Sequence, residues 1–171
     1  HAVAKLGGHR AAGQWRGGKY SNFEGGTRVP MLAQWPGRIK PGVSKAMVGQ
    51  QDFLASWSRL TSQALPADAA PDSFDVLDAL LGDSPKGRQQ IVEHARALSL
   101  RDGDWKMIQS NPGPALSVPT NTELGSGDGP QLYDVSRDLN EHNNLAGRFP
   151  DRVKQMDAVL ERIRAAGRSR P

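Results

Sequence analysis

The stretch that most constrains this chain is Trp15–Pro30, WRGGKYSNFEGGTRVP. Two glycine pairs, Gly17-Gly18 and Gly25-Gly26, bracket Lys19 and Glu24, and Arg28 follows just before an apolar run. Glycine accepts positive φ and lets backbone come close to a neighbouring group. The pattern therefore describes a tight loop carrying one cation, either folded around an anion or standing as a surface turn with a solvated lysine.

The rest of the composition limits what can surround that loop. In 171 residues only 37% are hydrophobic, and 19 Gly and 12 Pro break the chain often. Globular domains usually carry about 45–50% apolar residues, so a small core with short elements is expected, fitting part of a larger protein. The net charge of +4 comes from Lys and Arg spread along the chain. Nucleic-acid binders concentrate such charge on one face, and the one cluster here (Arg162, Arg164, Arg168, Arg170) reads as a solvated helix end. With no cysteine, disulfides, thiolate nucleophiles and Cys-based zinc sites are excluded. No apolar stretch approaches the ~20 residues of a membrane span, and residues 1–20 do not read as a signal peptide.

Taken in order, residues 1–18 lack any sustained period and read as loop. His9 lies there among small residues, as a candidate site histidine or an exposed loop residue. Gly13–Lys19 fits G-x-x-x-x-G-K, but Tyr20 stands where a P-loop needs Ser or Thr. Val29–Trp35 is expected to be a buried strand, Met47-Val48 a short one, and Asp52 the cap of a helix burying Phe53, Leu54, Trp57 and Leu60. Phe74–Leu81 predicts a short amphipathic helix stopped by Gly82. A domain boundary is expected near residue 85, giving segments 1–85 and 86–171. Beyond it, Gln90–Glu93, Ala97–Arg101, Trp105–Gln109 and Gln131–Val135 predict a small antiparallel sheet, with Asp102-Gly103 as a hairpin signal. Asn111–Pro130 reads as a long loop. Asp151–Ala166 predicts a helix with Val153, Met156, Val159, Leu160 and Ile163 on one stripe and Gly167 as its stop. The fold class expected is α/β.

The run Gly18–Pro30, followed by Trp35–Gly42 (WPGRIKPG), closely resembles sulfatases of the arylsulfatase type, in the alkaline-phosphatase-like superfamily. Asp104-Trp105-Lys106 resembles the family's G-D-W-K. Leu132-Tyr133-Asp134 with Asp138 and Glu141–Leu145 resembles its L-Y-D…D-P-x-E-x-x-N-L, although Leu139-Asn140 replaces the usual Pro-Gly. The resemblance covers most of the chain and corresponds to the family's C-terminal part.

The resemblance implies a sulfuric-ester hydrolase in which Lys19 contacts the substrate sulfate, with His9 as a weaker candidate beside the pocket. A fixed ammonium facing the bridging oxygen stabilises charge that grows as the S–O bond breaks. Glu24, Gly25, Gly26 and Arg28 match the family's E-G-G-x-R, and a loop-bracing role is expected of them. The resemblance also implies a formylglycine nucleophile and a Ca²⁺ ion, whose C/S-x-P-x-R motif and Asp-Asn pair are expected upstream of His1. Ser117–Asn121 has Asn where that motif needs Arg, and no aspartates here carry the spacing of a calcium loop. The expected partners are a sulfated small molecule or saccharide and the N-terminal part of the same protein, with periplasmic or secreted location following from the resemblance alone. The alternatives are a phosphodiesterase or phosphonate hydrolase of the same superfamily, and a non-catalytic anion-binding module. Alone, the chain is expected to be inactive.

Overall fold

The computed structural model describes residues 7–170 and divides the chain into two compact units. The first comprises residues up to Val29 together with Val92–Leu160, and the second comprises Pro30–Ile91 and the residues from Glu161. The division thus differs from a single cut near 85, because the glycine-rich stretch folds with the sheet that follows it in sequence. Residues 1–6 of the expected N-terminal loop lie outside the described residues; residues 7–18 form turns.

The first unit is built on a four-stranded sheet in the order β1-β2-β3-β6. Its strands are β1 (Gln90–His94, entering the unit at Val92), β2 (Leu98–Asp102), β3 (Trp105–Ile108) and β6 (Gln131–Asp134). The expected hairpin is present: Asp102 pairs with Trp105, and Gly103 takes φ +55 in the two-residue loop. Such loops favour positive φ because it matches strand twist.

Register assigns each face its contents. The row Leu100–Met107–Leu132 is wholly buried and packs on α4 (Pro150–Ala166) through Met156 and Leu160. The next row, Arg101–Lys106–Tyr133, lies on the opposite face, where Ile108, Tyr133 and Val135 cluster with Phe23. Both faces are therefore covered, one by a long helix and the other by the glycine-rich stretch. Gly167, at φ +64, ends α4 as expected.

The region 111–130 is more ordered than its composition suggests. It contains a two-stranded ribbon, β4 (Leu116–Ser117) with β5 (Thr122–Glu123), around a 3₁₀ turn at Val118–Thr120. Asn121 takes the left-handed conformation that reverses the chain, and Asn tolerates this better than most residues. Ser117 Oγ lies 2.8 Å from Thr120 Oγ1 within that turn.

In the second unit, Asp52 closes a 3₁₀ turn (Gln50–Asp52) ahead of α2 (Phe53–Leu60). It does not cap α2. Its Oδ2 accepts the Gly49 N–H at 2.8 Å, while Oδ1 accepts the Phe74 N–H at 3.0 Å and pairs with Arg88 at 2.8 Å. The expected apolar face of α2 also needs correction. Leu54, Trp57 and Leu60 are 52%, 41% and 38% exposed, while Ala55 and Ser56 are buried. Small residues allow close approach on that side, where Ser73 Oγ accepts the Ala55 N–H and Ser56 Oγ accepts the Val76 N–H. The second helix, α3 (Leu77–Leu80), is shorter than expected because Asp75 Oδ1 captures the Leu77 N–H and starts the turn there.

Two expected strands are absent. Residues 29–35 are irregular and exposed, Leu32 fully so, and Met47-Val48 is likewise unpaired as strand. An apolar run becomes a strand only when a neighbour continues a ladder of backbone bonds; here Met47 C=O accepts one bond, from the Arg88 N–H at 2.8 Å, and Trp35 C=O accepts from Arg38 and Ile39 in the turn that follows it. Met31, Ala33 and Trp35 line an apolar groove of about 250 Å³ with Trp57, Leu60 and Leu80. The arginine tail is not wholly solvated either: Arg170 donates to the carbonyls of Pro66, Ala67 and Ala69.

Candidate functional site

The glycine-rich stretch carries its site on a turn held from below. Ser21 N–H donates to Gly18 C=O at 2.9 Å, so Lys19 and Tyr20 occupy the corners of a β-turn. Tyr20 has φ +75, a conformation that costs a non-glycine residue of order 1–3 kcal/mol and persists only when its surroundings impose it.

Those surroundings are the glycines. Gly17 has φ +81, and a Cβ there would sit 2.3 Å from Ser21 Oγ. At Gly26 it would lie 2.2 Å from Ser21 O and 2.5 Å from Gly18 O; at Gly25, 2.5 Å from Arg16 O. The turn at 17–21 and the single helical turn α1 (Glu24–Thr27) thus touch backbone to backbone, and only glycine fits between them. Lys19 itself is exposed, with its ammonium 5.0 Å from the centre of the Tyr20 ring. No carboxylate pairs with it among the described residues. His9 is exposed in a preceding turn, and no hydrogen bond or ion pair joins it to Lys19.

Beneath the turn lies a buried charge cluster. Glu24, 1% exposed, pairs with Arg28, with Arg101 at 3.0 Å and with Lys106 at 3.0 Å. Lys106 has no solvent exposure; it also meets Glu93 at 3.0 Å, Thr27 Oγ1 at 3.3 Å and Glu141 at 3.8 Å. Glu141 reaches α1 through its Oε2, which accepts the Glu24 N–H at 2.7 Å, and its carbonyl accepts from Arg16. Arg16 is also paired with Glu123 at 2.7 Å.

The two buried glutamates differ in electrostatic state. Burial alone would raise the Glu24 carboxyl, but Lys106, Arg101 and Arg28 outweigh it and hold it at about 2. Glu141 is pushed up to about 7 by burial, with the nearby Glu24 and Glu93 charges adding to what Lys106 offsets. Its Oε1 is buried without a hydrogen-bond partner.

Asn22 ties the same stretch to the sheet. Its Oδ1 accepts the N–H groups of Arg96 and Ala97, each at 3.1 Å, and its Nδ2 donates to Ala97 C=O at 2.7 Å. The turn between β1 and β2 is therefore fixed by the residue three beyond Lys19.

The structure thus unites sequence motifs read separately. Glu24 and Arg28 form an ion pair, while Lys106 of D-W-K and Glu141 of the D-x-x-E segment complete the cluster around Glu24. Arg101, Glu93 and the central place of Lys106 were not singled out as site residues. Lys106 carries two sequence signals, its place in the D-W-K motif and a lysine inside the apolar strand W-K-M-I, and neither marks it as buried. These carboxylates face cations, and no group of three or more His, Asp or Glu residues suited to a metal ion occurs among the described residues. Among the described residues this cluster does not fit a Ca²⁺ ion, because its carboxylates are already committed to Lys106, Arg101 and Arg28.

No family model matches the chain. It is similar to an N-acetylgalactosamine-6-O-sulfatase of Bacteroides thetaiotaomicron, 41% identical over 95% of this chain and 32% of that protein. Human arylsulfatase A is 33% identical over 89% of this chain and 32% of its own length. Among solved structures, a B. thetaiotaomicron protein from work on glycosaminoglycan metabolism aligns with TM-score 0.90 and 41% identity, covering 96% of this chain and 35% of its own. A Pseudoalteromonas sulfatase aligns with TM-score 0.70 and 26% identity over 88% of this chain and 32% of its own. The chain spans about a third of the length of the relatives it matches.

Proposed function

Because the chain belongs to the sulfatase family, as its C-terminal part, we propose that it serves a sulfuric-ester hydrolase by supplying the sulfate-holding lysine, Lys19. The observation that supports this reading is the 41% identity over 95% of the chain to a sulfatase, together with an unpaired ammonium on a glycine-built turn. In the intact protein a formylglycine and Ca²⁺ would supply the nucleophile and the Lewis acid from residues outside this chain.

The part played by these residues follows from charge. A sulfate monoester bears one negative charge on its terminal oxygens, and more develops on the bridging oxygen during cleavage. Lysine presents a compact charge to it, and holding that charge in place before the reaction favours the transition state over the ground state. Gly17, Gly25, Gly26 and the ion pair of Glu24 with Arg28 position the lysine and do not themselves react. His9 remains a candidate for the pocket rim. The substrate class we propose is a 6-O-sulfated amino sugar, the group in the Bacteroides relative's name.

In the intact protein, Lys19→Ala should lower kcat/KM on an aryl sulfate by roughly 10²–10³, with partial recovery in Lys19→Arg. Activity within threefold of wild type would overturn the assignment. A substrate panel in which a 6-O-sulfated amino sugar is no better than other sulfate esters would overturn the substrate class alone. The isolated chain should show no turnover.

A further inference from the structure

Beside the Lys19 turn lies a second feature with chemistry of its own. Tyr20, Ala95, Arg96 and Asn111 line an open, polar basin of about 400 Å³. Arg96 is exposed, and its guanidinium has no carboxylate partner among the described residues. Its backbone, in contrast, is fixed through Asn22 Oδ1 at 3.1 Å. Asn22 also holds Ala97 through its side chain and Leu124 C=O through its own N–H at 3.0 Å. One buried residue therefore fixes the backbone beneath the Lys19-Tyr20 turn and beneath Arg96 together.

We propose that this basin is a substrate subsite, in which Arg96 binds an oxyanion carried by the sugar next to the sulfated one; the proposal rests on the sulfate-holding role of Lys19. The volume suits a sugar ring, and the polar lining disfavours a flat apolar body. Guanidinium is a planar fork that matches a carboxylate or sulfate in bidentate fashion. Tyr20 is shared by both places: the Lys19 ammonium lies over its ring, and the residue lines the basin. An aromatic ring offers sugar C–H groups a flat apolar surface, and the Asn111 amide offers its hydroxyls both donors and acceptors. Tyr20 holds φ +75 in the turn that carries Lys19, a conformation its surroundings must impose.

The test uses the intact protein and three substrates: an aryl sulfate, a sulfated disaccharide with an adjoining uronate, and the same disaccharide with its carboxyl reduced to a hydroxymethyl group. A disaccharide bearing a second sulfate in place of the uronate distinguishes the two oxyanions. Arg96→Gln should lower kcat/KM on the uronate or doubly sulfated disaccharide about tenfold more than on the aryl sulfate, chiefly through KM. Arg96→Lys should recover part of the loss, and the carboxyl-reduced disaccharide should show no such split. Equal effects on all substrates, or none on any, would overturn the subsite. Lys19→Ala separates the two readings: loss on every substrate supports the parent assignment, whereas a retained Arg96 split without a Lys19 effect removes only the lysine's role.

Discussion

The Lys106 ammonium lies 3.0 Å from Glu24 Oε1, and neither side chain has more than 1% solvent exposure. A pair so buried contributes little to net stability by itself, since both ions have lost their hydration. Removing one partner is a different matter, because the other charge stays buried. Lys106 faces three carboxylates, Glu24, Glu93 and Glu141, so its loss leaves their charge without that cation.

Lys106→Met should therefore destabilise the protein by about 3–5 kcal/mol. The double change Lys106→Met with Glu24→Gln should recover part of that loss. Urea unfolding of wild type, single and double variants measures it. A single variant as stable as wild type would mean that Glu24 is satisfied by Arg101 and Arg28 alone.

The two glutamates impose opposite pH dependences. Glu24 sits at about 2, below its ordinary 4.5, so its contribution is complete above pH 4.5 and disappears as pH falls through 2. Glu141 sits at about 7. Between pH 4.5 and 7 the folded state keeps a proton that the unfolded chain has released, so stability falls as pH rises through that window and levels above it. The shift corresponds to something on the order of 3 kcal/mol. Glu141→Gln keeps an acceptor for the Glu24 N–H and removes this slope, so its advantage over wild type should grow from pH 4.5 to 7. Parallel stability profiles would contradict the assignment.

Gly26→Ala places a methyl group 2.2 Å from Ser21 O and 2.5 Å from Gly18 O. Neither carbonyl can yield without moving the turn that carries Lys19. The expected cost is about 1–3 kcal/mol of stability, with a drop of up to ~10²-fold in sulfate-ester turnover for a displacement near 1 Å. Thermal unfolding and kcat/KM on an aryl sulfate are the two readouts, and a stable, fully active variant would refute the close packing.

Asn22→Ala strips three partners from the turn between β1 and β2. Leaving those groups unsatisfied should cost about 1–3 kcal/mol. Hydrogen exchange offers the local check: the amides of Arg96 and Ala97 should lose protection, while Met107 and Leu132 in the central strands keep theirs.

Much of the first unit could be read from the residues. Trp105–Ile108 and Gln131–Asp134 are short apolar runs between turn residues, and Asp102-Gly103 marks their hairpin. The stripe on 151–166 predicts a helix with one buried side, and Met156 and Leu160 are its buried members. What periodicity could not reveal is that both faces of the sheet are covered. A lysine in W-K-M-I would ordinarily point to water; here Glu24 arrives from 82 residues earlier and meets it. Such a meeting depends on long-range packing and leaves no mark in local spacing. The same limit explains Trp57, which shares a helical stripe with Phe53 yet lines an open groove.

The exposed run at 29–35 carries a consequence for handling the polypeptide. No charge interrupts the sequence between Arg28 and Arg38, so Met31–Trp35 offers other copies a ready template for intermolecular β-ladders. Pro30 and Pro36 stand at either end as gatekeepers, each lacking the N–H that would let a ladder lengthen. Any intermolecular ladder begun here is held to the five residues between them. Replacing either proline would remove that brake.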